Sequence, residues 1–251
     1  MNYPFFLFLK LNFILLKYCI FIFNYLNMNR IICFVFLSFF ASSTYSQKDS
    51  LQLGDSYAED QLYVSVSYAQ FGEQPTSISR STFSYGISTG FLKDFILNKK
   101  GNTSIALGIG YGFDFFNHKL KVAEINNSTL FNSSENISSN VFKAHNLEFP
   151  LEIRWRTSTA KKYDFWRIYT GIKFLYNISN VFQFTEDATD FKYKNVSAYR
   201  KLQYGLTLSA GYTEFNAYLF YGLTPIFDNA TINGENINSN VLKFGLIFYI
   251  L

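Results

Sequence analysis

The sequence has few of the residues from which enzymes build redox, metal or disulfide sites. Its 251 residues include only two cysteines and two histidines. Both cysteines, Cys19 and Cys33, lie near the N-terminus, so the rest of the chain can form neither a disulfide nor a thiolate. Its glycines recur at alternate positions, as in a strand, and no Gly-rich phosphate loop occurs. We therefore expect no cofactor and no metal site.

Charged residues are scarce in the first 46 positions, which contain only Lys10, Lys17 and Arg30. An apolar run from residue 31 to 40 follows Arg30 and precedes small residues, which is the layout of a secretory signal peptide. We predict translation from Met28, with residues 1–27 as an upstream extension, and cleavage after Ser46. Cleavage after Ser43 is the second choice.

Two membrane helices anchoring a soluble domain are the alternative interpretation of this leader. The second apolar run is shorter than the roughly 20 residues that a helical span requires, which favours the signal peptide. Beyond the leader, no stretch has 18 consecutive apolar residues, so we predict no membrane helix there. Acidic and basic residues nearly balance once the leader is removed, which excludes nucleic acid as an expected partner.

What the chain does contain is long strands with a period of two. From Leu202 to Tyr212, apolar residues alternate with small or polar ones without interruption. Half-buried strands of soluble proteins alternate over about 4 to 8 residues, whereas a strand that crosses a bilayer needs about 9 to 11. After a tight turn the pattern resumes from Ala217 to Leu223, so two long strands form a hairpin.

The same pattern predicts eight strands after a polar lead-in over residues 47–60. Their connections alternate long and short along the chain, and the long ones cover residues 72–81, 116–141, 177–197 and 226–240. The predicted strands are Gln61–Phe71, Thr82–Phe95, Ser104–Phe115, Phe142–Arg156, Trp166–Tyr176, Leu202–Tyr212, Ala217–Leu223 and Val241–Leu251.

These features predict an all-β fold: an eight-stranded antiparallel transmembrane β-barrel of the bacterial outer membrane, spanning residues 61–251. In such barrels short turns lie on the periplasmic side and long loops outside, which would place both termini in the periplasm. Trp155, Trp166 and Tyr212 lie on the apolar face beside short turns, and we predict that they are interface aromatics. The expected partner of the apolar face is outer-membrane lipid.

The opposite face carries charges of both signs. Eight strands leave a lumen only wide enough for side chains to fill, so we predict that these charges pair and fill it; a narrow ion path is the alternative. Alternate glycines in the third strand would supply the space, and Pro150 predicts a bulge or an unpaired position in the fourth. The predicted lumen residues are Glu148, Glu152, Arg154, Arg156, Arg167, Lys173 and Lys201.

The two histidines, His118 and His145, are predicted near the outer end of the barrel, within reach of Asp114. A hydrolytic site at that rim is conceivable. However, no nucleophile or metal-ligand spacing accompanies these residues, so we assign no catalytic residue and predict a protein that is not an enzyme.

Two segments resemble a known family. The stretches LEFPLEIRWRT, Leu147 to Thr157, and FWRIYTG, Phe165 to Gly171, are similar to the PorT-like outer-membrane barrels of Bacteroidota. The resemblance implies a porin-like barrel that supports protein transport by type IX secretion, or assembly at the outer membrane, with other secretion-system components as partners. A small structural or solute-conducting barrel is the alternative function.

Overall fold

The structure, a computed structural model, describes residues 60–75, 83–98, 101–126, 128–133, 137–157, 166–212 and 215–250. The predicted leader with its cleavage site, and the predicted lead-in up to residue 59, lie outside the described residues. Within the described part of the chain, no helix is long and apolar enough to cross a membrane.

The described residues form strands and their connections, and thirteen strands are assigned among them. In chain order they are β1 (Gln61–Gly72), β2 (Tyr85–Ile96), β3 (Thr103–Asn117), β4 (Leu120–Ile125), β5 (Ser128–Ser133), β6 (Ile137–Arg156), β7 (Trp166–Glu186), β8 (Thr189–Lys194), β9 (Leu202–Tyr212), β10 (Phe215–Gly222), β11 (Thr231–Ile232), β12 (Glu235–Asn236) and β13 (Asn240–Ile250).

Eight of these strands close into an antiparallel barrel, as predicted. Their order around the barrel is β6, β3, β2, β1, β13, β10, β9 and β7, and β6 pairs with β7 to complete the ring. The first and last strands pair directly, with Leu62 opposite Ile250 and Gly72 opposite Asn240. Closure leaves the barrel strands with no free edge, so their backbone groups are paired within the sheet.

The period of two in the sequence becomes an inward and an outward face. Along β9 the residues from Leu202 to Tyr212 alternate between exposed apolar side chains and buried small or polar ones. Trp155 and Leu206, which the barrel interpretation requires to face outward, are 42% and 48% exposed. The outward side chains are therefore apolar and the inward ones small or polar, whereas a soluble barrel has apolar side chains inside and polar ones outside.

The predicted long loops are partly wrong. Strands β4 and β5 form a hairpin within residues 116–141, β8 lies within 177–197, and the short strands β11 and β12 pair within 226–240. Strands β6 and β7 are also longer than predicted, because they continue to pair with each other up to Ile137 and Glu186. These stretches contain many Asn and Ser residues, which weaken strand propensity but still pair when a neighbouring strand supplies partners.

The ladder between β3 and β6 is interrupted at Pro150, as predicted for a residue without a backbone donor. Pairing stops after Leu107 opposite Leu151 and resumes at Gly110 opposite Glu148, and the register is the same on both sides of this gap. The two register shifts in β6 lie elsewhere, in its ladder with β7, between Ile137 and Ser139 and between His145 and Asn146. Proline therefore leaves a gap in one ladder without bending the strand out of phase.

Candidate functional site: the barrel interior

Buried charges of both signs occupy the barrel lumen from the short-turn end to beyond its middle. Among the described residues, five cations and four carboxylates belong to this lumen charge network, so the charges nearly cancel. The cations are Arg154, Arg156, Arg167, Lys173 and Lys243, and the carboxylates are Asp94, Asp114, Glu148 and Glu152.

Asp94 organises the part of the network nearest the short turns. One of its carboxylate oxygens lies 2.7 Å from Nη1 of Arg156, and the other accepts a hydrogen bond of 2.6 Å from Ser104. Arg154 donates from Nε to Glu152 at 3.0 Å, and its guanidinium lies 4.6 Å from the ring centroid of Tyr169. Ion pairs and ring faces together offset the cost of burying these guanidinium groups.

Glu148 is the centre of the network. Its oxygens accept hydrogen bonds from Lys173 Nζ at 2.8 Å, from Tyr63 Oη at 3.0 Å and from Ser88 Oγ at 2.8 Å. Lys173 also lies between the rings of Tyr63 and Tyr218, 5.4 Å and 5.2 Å from their centroids. With Glu148 these groups come from five different strands, so they tie opposite sides of the barrel together across the lumen.

A third pair closes the network towards the outer end. Lys243 donates to Asp114 at 2.6 Å, and Asn146 donates to the other oxygen of Asp114 at 3.2 Å. A chain of amide hydrogen bonds continues outward from Asn146 to Asn177 and then Asn180, at 2.9 Å and 3.0 Å. The polar contents of the lumen thus extend along most of its length.

Two glycines of β3 make room for these side chains. A Cβ atom on Gly110 would lie 2.1 Å from Tyr63 Oη, and one on Gly112 would lie 2.4 Å from a carboxylate oxygen of Glu148. Real Cβ atoms do not approach that closely, so a side chain at either position would displace the centre of the network. The prediction that these glycines provide space in the lumen is confirmed.

Rings replace charges at the outer end of the lumen. Phe142 stacks between Phe116 and Phe182, with centroid distances of 5.5 Å and 4.3 Å and interplanar angles of 13° in both cases. Phe71 stacks on Phe116 at 4.3 Å. We call this set, together with His118, Tyr199 and Phe227, the aromatic layer. It covers the outer end of the lumen charge network.

His118 is a buried histidine within the aromatic layer. Its Nδ1 accepts a hydrogen bond from the backbone of Leu120, and its ring meets Phe71, Phe142 and Phe182 edge to face. Burial among these rings lowers the pKa of His118 to about 3, so the imidazole is neutral at ordinary pH. Burial likewise raises the pKa of Tyr199 in the same layer.

Comparison with known families also indicates an outer-membrane β-barrel. Residues 45–228 match the family described as outer membrane protein beta-barrel domain. The chain belongs to this family. Membership, with the closed eight-stranded barrel and its apolar outer surface, places the protein in the outer membrane. No curated protein matches the chain.

The interior of this outer-membrane barrel contains six of the seven predicted lumen residues. Glu148, Glu152, Arg154, Arg156, Arg167 and Lys173 are all buried there. Lys201 was wrongly predicted, because it is exposed in the bend before β9, where the alternation has not yet begun. Its backbone oxygen accepts a hydrogen bond from Asn177.

Sequence reasoning missed four members of the interior that the structure brings to the same site. Asp94, Asp114, Lys243 and Tyr63 all contact residues of the lumen charge network. Asp94 and Asp114 are in phase with the small inward residues of their strands, so the period of two could have identified both. Tyr63 is likewise in phase with the inward Ser65 and Ser67 of β1, whereas for Lys243 the signal is weaker because most other residues on both faces of β13 are apolar.

The structure does not bring the two histidines together. His118 is buried inside the aromatic layer, whereas His145 faces outward on β6, with its Nδ1 2.5 Å from the hydroxyl of Tyr111. Asp114, which the sequence placed within reach of both, is engaged by Lys243 and Asn146. The conceivable rim site is therefore not assembled, and no group of three metal-ligating residues occurs in the described part of the chain.

The three predicted interface aromatics share one end of the outer surface. Trp155 is the last residue but one of β6, Trp166 begins β7 and Tyr212 ends β9, and all three are exposed. Trp166 is opposite Tyr212 in the ladder, with ring centroids 5.5 Å apart. They lie at the short-turn end, where aromatic girdles of outer-membrane barrels occur, and their role at the interface stays a prediction.

Proposed function

We propose that this outer-membrane protein is a closed, non-conducting and non-enzymatic barrel that supports protein secretion or assembly. The observation that carries the proposal is the filled lumen: paired charges occupy its middle and inner part, and the aromatic layer covers its outer end. A barrel filled in this way offers solutes no continuous aqueous path.

The proposed orientation places the short turns and both termini of the barrel in the periplasm. It is supported by the sorting of connections, because the short ones all lie at the end that carries Trp155, Trp166 and Tyr212. The longer connections, with β4, β5, β8, β11 and β12, would then face the cell exterior, where a secretion or assembly partner can reach them. The resemblance of residues 147–157 and 165–171 to PorT-like barrels favours type IX secretion as the process.

Conductance tests the closed lumen. Purified protein in planar bilayers, at molar salt, is expected to give no steady conductance above the leak, while a general porin in the same bilayers gives open channels. Steady openings of the wild-type protein would support the solute-conducting alternative instead.

Gene deletion tests the role in export. Loss of secreted proteins from the medium, restored by the wild-type gene, is expected from a secretion component, whereas unchanged secretion with a weakened outer membrane would favour a structural barrel. Complementation by His145→Ala should match that by the wild type, because His145 faces outward on β6. Failure of this variant alone would revive a hydrolytic role.

A further inference from the structure

Three lysines form a row on the outward face of the barrel, at the end with the long connections. Lys143 of β6 is opposite Val181 of β7, and Val181 is opposite Lys194 of β8. Lys192 lies two residues from Lys194 on the same face. With strands about 4.8 Å apart, Lys143 and Lys194 are separated by about 10 Å, so their long side chains can reach one ligand. We call these residues the lysine row.

The lysine row lies just beyond the apolar band of the barrel. On β6 the outward residues between Trp155 and His145 are all apolar, and this stretch is eleven residues long. A membrane-spanning strand takes about 9 to 11 residues, so Lys143 is the first outward position past the hydrocarbon. Its ammonium group lies 5.9 Å from the ring centroid of Phe115, which borders the band on β3.

The three lysines of the row have no direct ion-pair partner among the described residues, whereas Lys93 at the opposite end of the barrel pairs with Asp60. Glu186 of β7 pairs with Lys121 at 2.5 Å, away from the row. Asp190 lies two residues from Lys192 on the same face of β8 and accepts a hydrogen bond of 2.6 Å from Thr185, which leaves its charge in place, so the row and Asp190 together keep a net positive charge. Asp187, in the turn between β7 and β8, is exposed.

We propose that the lysine row binds the phosphate groups of a phosphorylated glycolipid in the outer leaflet of the membrane. The inference rests on the orientation proposed above, which places this end of the barrel at the outer leaflet. At headgroup depth a lipid phosphate is the anion in direct reach, and lysine binds phosphate as a point charge. Outward rings of β3, such as Phe113 and Phe115, would lie beneath the headgroup, against its acyl chains.

The test measures binding of purified lipid A to the full-length protein in detergent, by native mass spectrometry. Each lysine near an anionic surface strengthens binding by about fivefold, so the triple variant Lys143→Gln, Lys192→Gln, Lys194→Gln should bind about 100-fold more weakly. Lys93→Gln is the matched control, an outward lysine at the other end, and should bind like the wild type. Heat-modifiable migration on gels verifies that each variant is folded.

Dephosphorylated lipid A and inorganic phosphate distinguish the possible ligands. The wild-type protein should bind dephosphorylated lipid A and inorganic phosphate only weakly, because the site requires a phosphate group that a lipid holds at headgroup depth. Equal binding of the dephosphorylated lipid, or equal losses in Lys93→Gln and the triple variant, would overturn the proposal.

Labelling of Lys192→Cys in intact cells with a membrane-impermeant maleimide separates the lipid site from the orientation. If Lys192→Cys is labelled but the wild-type protein does not bind lipid A, the lipid site is overturned and the orientation stands. An unlabelled variant overturns the orientation, and the lipid site with it.

Discussion

The two halves of the barrel interior are held together by different kinds of contact. Towards the short turns, carboxylates such as Glu148 contact specific partners within hydrogen-bond distance. Towards the long connections, Phe116, Phe142 and Phe182 form a stack in which no single atom has an obligatory partner. The charged half therefore depends on matched pairs, whereas the aromatic half depends on filled volume.

This difference predicts different responses to substitution. A buried ion left without its partner retains the cost of its removal from water, whereas exchange of both partners for apolar residues removes cost and gain together. A ring replaced by a smaller apolar group loses packing in proportion to the missing volume. Single and paired substitutions can therefore separate the two halves.

The largest effect is expected when Glu148 is replaced alone. Glu148→Leu leaves Lys173 buried without its carboxylate, and it also removes the acceptor for Tyr63 and Ser88. The free energy of unfolding should fall by about 3–5 kcal/mol. Urea titration in detergent micelles, followed by the fluorescence of Trp155 and Trp166, measures the change.

The paired variant sharpens this result. Glu148→Leu combined with Lys173→Met removes both charges, and most of the lost stability should return. If the double variant is as unstable as Glu148→Leu, the contribution of Glu148 is its packing, and the two halves of the interior do not differ in the way proposed.

A smaller loss is expected from a single substitution in the aromatic layer. Phe142→Leu removes the stacking on Phe116, Phe182 and Phe71 from a fully buried position but leaves no polar group without a partner. Because neighbouring rings can move into part of the space, unfolding should become easier by about 1–3 kcal/mol, by the same urea titration. A loss as large as that of Glu148→Leu would show that the stack is as specific as the ion pairs.

The architecture of the barrel could be predicted because the alternation of apolar with small or polar residues indicates which face of each strand contacts lipid. Strands such as Gln61–Gly72 and Leu202–Tyr212 were located to within a residue or so, and the parity of loop lengths matched the closed ring. The extensions of β6 and β7 were not predicted. Their Asn and Ser residues pair only because each strand supports the other, which is a tertiary effect.

The contacts between side chains in the lumen could not be predicted from the sequence. Alternation identifies Lys173 and Glu148 as inward residues, but their contact depends on the stagger between neighbouring strands, which no local pattern encodes. The burial of His118 was missed for a related reason. It lies outside the alternating strands, and rings from β1, β6 and β7 surround it only once the barrel has closed.

The smallest expected effect is a decrease in the free energy of unfolding in acid, and it comes from His118 in the aromatic half of the interior. The pKa of His118 is about 3 in the folded protein and near 6.5 in an unfolded chain, so the unfolded state binds more protons between these values and acidification favours unfolding. From pH 7 to 5.5 the cost is about 1 kcal/mol. His118→Asn keeps an acceptor for the Leu120 amide but cannot titrate, so its urea midpoint should fall less over this range than that of the wild type. Equal pH dependence in the two proteins would mean that groups other than His118 set the acid response.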